Sequence, residues 1–168
     1  MSEAVIFVIY AAFIGFGATA FMDIWAILQK RLFGVPSLDY AMVGRWLGHI
    51  PCGRFAHAPI STAQPVPNEA LIGWAAHYAI GVLFAGVLLA ICGLGWAQDP
   101  SLVPALVIGL ATIIAPFFIL QPALGAGIAA ARTPNPNIAR LKSAITHLVF
   151  GLGLYLTAEI AALLIAAE

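Results

Sequence analysis

Four long apolar runs, at about residues 4–28, 71–96, 102–131 and 141–167, constrain this chain more than any other feature. Each has the roughly 20 residues that carry a helix across about 30 Å of hydrocarbon. A backbone exposed to lipid must satisfy its own hydrogen bonds, which a helix does within one segment. Only 8% of the residues are charged, against about 25% in a soluble domain, so no water-facing surface can be built from this composition. The expected fold is all-α, an integral membrane four-helix bundle forming a single transmembrane domain over residues 1–168. No basic segment precedes the run from Ala4, and that run is longer than the apolar region of a cleavable signal, so it is expected to stay as the first span.

Charge sets the orientation. All seven Lys and Arg fall in or beside two connections, at residues 29–68 and 132–140: Lys30, Arg31, Arg45 and Arg54 by the first, Arg132, Arg140 and Lys142 by the second. The N-terminal tail, the second connection and the C-terminal tail carry only Glu3, Asp99 and Glu168. The positive-inside rule makes the two basic loops cytoplasmic and both termini non-cytoplasmic, that is N-out and C-out. Trp25, Trp46 and Trp74 then lie near the cytoplasmic interface and Trp96 near the other. Cys52 and Cys92 fall on opposite sides, too far apart for a disulfide, and are expected as free thiols. Net charge is zero and no basic run exceeds Lys30-Arg31, which removes the electrostatic basis for a nucleic-acid partner.

Flanking breakers extend the helices to Ala4–Phe33, Asn68–Ala97, Pro100–Ala131 and Asn137–Ala167, with Asn68 and Asp99 as cap residues. Counted from those cytoplasmic ends, Asp23, His77, Gln121 and His147 each stand about ten residues in, so four helices bring one strongly polar residue to nearly the same depth. Ionisable groups at membrane depth are costly unless they turn inward and find partners. The layer fits a hydrogen-bonded clasp between helices, or a site for a ligand, proton, metal or cofactor. The stripes Gly73/His77/Gly81/Ala85 and Ser143/His147/Gly151/Tyr155 put a glycine one turn from each imidazole. Such notches serve close helix packing, or admit a planar group such as a haem on His77 and His147, or a quinone. His77, His147 and Asp23 also form the inventory of a 2-His-1-carboxylate metal centre, without the spacing that would fix its geometry. Gln121 lies in Gln-Pro, five residues after Pro116, and the two prolines predict a bend in the third helix at the carbonyls of Thr112 and Phe118. The Gly-x-Gly pairs at 15/17, 93/95, 125/127 and 151/153 are expected as packing features of the apolar helices.

In the first loop, Pro36-Ser37 predicts a capped interfacial helix over Leu38–Ile50. A short echo follows, Gly44-Arg45-Trp46 with His49 and then Gly53-Arg54-Phe55 with His57. Arg45, His49, Arg54 and His57 together suit an anionic ligand, phosphate or carboxylate, or contact with lipid headgroups.

Residues 15–33 (GFGATAFMDIWAILQKRLF), 34–57 (GVPSLDYAMVGRWLGHIPCGRFAH), 73–81 (GWAAHYAIG), 121–134 (QPALGAGIAAARTP) and 147–155 (HLVFGLGLY) together resemble a family of small bacterial four-helix membrane proteins, catalogued as a domain of unknown function. The resemblance covers nearly the whole chain. It implies a bacterial inner membrane, hence periplasmic termini, and no particular activity. The expected role is binding or transport of a small polar, anionic or lipid-like ligand or a proton at the Asp23/His77/Gln121/His147 layer, capped by the loop. The alternatives are a membrane redox enzyme binding haem, metal or quinone, and a structural subunit of a membrane complex or homo-oligomer.

Overall fold

A computed structural model describes the backbone of residues 1–166 and the side chains of residues 1–164; Ala167, the expected end of the last span, and Glu168 lie outside them. Among the described residues the regular structure is all helical, with no strand. The helices are α1 (Glu3–Phe33), α2 (Tyr40–His49), α3 (Glu69–Cys92), α4 (Gly95–Gln98), α5 (Leu102–Ala111), α6 (Gln121–Leu124) and α7 (Pro136–Ala166), with a π-helical turn over Pro116–Leu120 between α5 and α6. Four segments are long and apolar enough to cross a membrane: Glu3–Phe33, Glu69–Cys92, Leu102–Leu124 and Pro136–Leu164. Their outer faces leave Val8, Leu83, Val107 and Leu163 at least 60% exposed. Bare aliphatic side chains on all four suit a lipid solvent and not water.

Several expected boundaries move. α1 ends at Phe33 as its breakers predict. α3 stops at Cys92, short of Trp96, because Gly93 turns to a φ of 79°, a conformation that side chains resist. The third span leaves the helix at Leu124 instead of Ala131. Beyond it, backbone bonds from Ala126 N to Gln121 O and from Arg132 N to Ala126 O close a turn. α7 starts on Pro136, which suits a first helical position. The loop helix covers Tyr40–His49, not Leu38–Ile50. Its cap is Asp39, whose carboxylate accepts from Ala41 N at 3.0 Å, in place of Ser37.

The chain divides into two compact units. The first comprises residues 1–36, 78–111 and 146–168. Its core draws Ile14 and Ala18 from α1, Ala85, Leu88 and Leu89 from α3, Ala105 from α5 and Phe150, Leu154 and Ala158 from α7. These helices pack closely, and small residues permit it. A Cβ on Gly15 would strike the backbone of Val82, one on Gly109 that of Gly151, and one on Gly153 that of Ala18. The Gly-x-Gly pairs at 15/17 and 151/153 are thus packing contacts. Gly93 and Gly95 have nothing within 4 Å of where a Cβ would sit, and Gly125 and Gly127 lie in the turns beyond α6, so those two pairs belong to helix ends.

The second unit comprises residues 37–77 and 112–145. Within it α2 packs against α6 and against the 3-10 turn Ile60–Thr62. Gly44 and Gly73 bring α2 onto the start of α3 so closely that a Cβ on either would overlap the other segment's carbonyls, at Glu69 and Tyr40.

Candidate functional site

In the first unit, Asp23 accepts a hydrogen bond from the Tyr78 hydroxyl at 3.0 Å, and the Tyr78 ring lies 4.9 Å from that of Phe16. His147 has the backbone of Gly109 as a hydrogen-bond partner. The notch beside it at Gly151 is filled by the backbone of Ala105, Leu106 and Gly109. Gly81 is filled likewise by the Thr19 hydroxyl and the Gly15 carbonyl. The glycines beside the histidines therefore serve helix packing, and no planar group fits in those notches.

In the second unit, Tyr40 and His77 share a hydrogen bond between Oη and Nε2 at 3.0 Å, with ring centroids 4.2 Å apart and nearly stacked. Trp74 closes on both rings, at 4.4 Å from Tyr40 and 5.7 Å from His77. A haem iron on His77 Nε2 would have to displace the Tyr40 hydroxyl. Among the described residues no three of His, Cys, Asp and Glu are grouped as a metal ion requires.

Gln121 opens α6, three residues from the end of its span, so counting from Ala131 no longer sets its depth. It follows the π-helical turn. Pro116 has no N–H for the Thr112 carbonyl, which accepts from Ala115 N instead. The break predicted at the prolines is thus a π turn, a feature that recurs at functional sites. The Gln121 amide reaches Ser143 Oγ from Nε2 at 3.4 Å, a long contact, and its Oε1 is buried with no partner. Turning the amide over exchanges the two ends and still leaves one unmatched.

The loop residues separate into two kinds. Arg45 is 8% exposed, and four of its N–H groups bond inside the protein. Nε and Nη2 grip both Glu69 oxygens at 2.9 and 2.7 Å, and Nη1 donates to the carbonyls of Ser61 and Ala63. The Glu69 carboxylate holds the guanidinium pKa above its ordinary value, so Arg45 stays charged and already has its anion. Arg54, in contrast, is exposed. The 3-10 turn Ile50–Cys52 ends on Gly53, whose φ of 74° reverses the chain. That reversal folds the echo onto itself. Trp46 Nε1 donates to Phe55 O at 2.9 Å, and His49 Nδ1 meets His57 Nε2 at 2.8 Å. His57 N donates to Ala123 O, tying the loop to α6, while the ring's Nδ1 is buried without a partner.

Tyr40, Tyr78 and Glu69 complete these contacts and carry no site signal in the sequence. A tyrosine in an apolar helix reads as core, and Glu69 as an ordinary first-turn acid. The rule that a buried ion or imidazole must find a partner was the available signal, since few polar groups exist to choose from. Both cysteines are free, Cys52 exposed and Cys92 partly buried.

These features define an all-helical protein with four helices long and apolar enough to cross a membrane and with paired polar residues among them. The chain belongs to the DUF2938 family, described as a protein of unknown function, which it matches over residues 12–161. No curated protein and no solved structure matches it.

Proposed function

We propose that the protein binds a small polar solute at Gln121, in the second unit, and handles it from the cytoplasmic side of a bacterial inner membrane. The carrying observation is the Gln121 carboxamide, one end of which is buried and unmatched beside a break in its helix. A buried polar atom without a partner costs about 1–3 kcal/mol, and such groups persist where something else satisfies them. A carboxamide offers both a donor and an acceptor, which suits a neutral or anionic solute with a hydroxyl, amide or carboxyl group. The exposed Arg54 would attract an anionic one. The cytoplasmic placement rests on the charge asymmetry of the loops, which also puts both termini in the periplasm.

A second reading covers the rest of the layer. Asp23 with Tyr78, and His77 with Tyr40, are matched pairs, which favours a clasp that fixes the helices and leaves the binding to Gln121.

Native mass spectrometry of the protein purified in mild detergent tests the first reading. Wild type is expected to carry a small-molecule mass that Gln121→Leu loses while remaining folded. A wild type without added mass, together with a Gln121→Leu variant of higher melting temperature, would show that the amide is only a cost and end the proposal.

A further inference from the structure

We propose that His49 and His57 form a two-imidazole proton relay leading from the loop surface into the interior of the second unit. The proposal goes beyond the solute site, because it stands on other atoms and needs no solute.

The pair is built by the fold. Eight residues separate the two histidines, and the Gly53 reversal brings His49 Nδ1 to 2.8 Å from His57 Nε2. The ring centroids are 5.0 Å apart at 38°. His57 is pinned from behind by its backbone bond to Ala123 O. A contact of this length leaves no room for an ion between the nitrogens, and it requires that one carry hydrogen and the other a lone pair. One proton therefore lies between the rings. The far nitrogens differ. His57 Nδ1 is closed from solvent and without a partner, whereas His49 Nε2 is not closed in this way although the His49 residue as a whole is buried. A clamp between a helix end and a loop has no use for a second, unmatched buried nitrogen; a relay does, because imidazole takes up a proton at one nitrogen and releases one at the other.

A proton from water bonds to His49 Nε2; the Nδ1–H bond of His49 breaks as the Nε2–H bond of His57 forms; the Nδ1–H bond of His57 breaks when an acceptor oxygen, of water or of a solute, reaches that nitrogen and takes the proton. Both rings then stand in the opposite tautomer, and a proton travelling the other way, or rotation of the rings, restores them. The charged groups facing the pair are Glu69, within electrostatic reach of His49, and Arg45, which grips Glu69. Glu69 is thus already paired with Arg45 and is not a free counter-ion for an imidazolium at His49.

The test follows exchange at the buried nitrogen in full-length protein in lipid nanodiscs, with 15N-labelled histidine rings. On transfer to D2O the His57 ring N–H is expected to exchange with solvent in wild type, and at least tenfold more slowly in His49→Gln, which keeps a hydrogen bond to His57 Nε2 but cannot pass a proton. His49→Phe serves if the glutamine variant does not fold. Equal exchange rates in wild type and variant, or a His57 ring fixed in one tautomer in wild type, would overturn the relay and leave the pair a structural clamp. Neither result depends on whether Gln121 binds a solute.

Discussion

Gly44 and Gly73 set the distance between the loop helix and the third helix of the chain, because each lies against a carbonyl that cannot move without its own helix. Gly73→Ala is therefore expected to destabilise by at least the roughly 1–3 kcal/mol of an overpacked core, and Gly44→Ala similarly. Melting followed by fluorescence of Trp46 and Trp74 reads both. The adjacent ion pair gives a chemical counterpart. Glu69→Gln keeps the shape but withdraws the charge from a guanidinium held at two oxygens, so the melting temperature is expected to fall. Arg45→Lys should not be tolerated better, since an ammonium cannot grip both oxygens and two carbonyls together. Equal stability of wild type and Arg45→Lys would show that the fork geometry is unimportant. From sequence, Arg45 looked available to an outside anion. Glu69 lies 24 residues away, and nothing in a linear pattern indicates that a turn of chain will return it to the guanidinium.

At the level of elements, what could be read from the chain was what local chemistry decides. The end of α1 at Phe33, the four apolar segments and the existence of the loop helix all follow from composition and breakers. Length was harder, because apolarity continues past the point where the backbone leaves the long helix: Trp96 and Ala97 are buried in the short α4, after Gly93 has already turned the chain out of α3. The run from Gly125 to Ala131 is likewise apolar but folded into turns, and that is why depth counted from Ala131 misjudged Gln121. Two prolines announced a break without saying that it would be a π turn. Two substitutions probe these elements. Gly53→Ala meets no neighbouring atom, so its cost is backbone conformation alone, about 1–2 kcal/mol, read as a lower melting temperature. Pro116→Ala restores a donor to the broken stretch and is expected to stabilise it by up to about 3 kcal/mol, seen as new amide protection at residue 116, and to abolish any solute mass carried by wild type.

For the molecule as a whole, orientation is the property most open to a direct check. Cys52 is exposed in the first loop while Cys92 is partly buried in α3. A membrane-impermeant maleimide is expected to modify Cys52 in inside-out vesicles and to leave it untouched in intact spheroplasts; the opposite pattern would reverse the topology. The second unit contains charge that is matched inside the protein, and this bears on how such a chain would enter a bilayer. Arg45 precedes Glu69 by 24 residues, so in the nascent chain it is a bare cation until Glu69 follows, and under the positive-inside rule it would then count fully toward cytoplasmic retention. Once Glu69 has emerged and the loop has closed, the same guanidinium is cancelled. On that orientation the arginine would act twice, first as an unpaired signal during synthesis and then as an internal brace, with the finished surface no longer displaying the charge that set the topology.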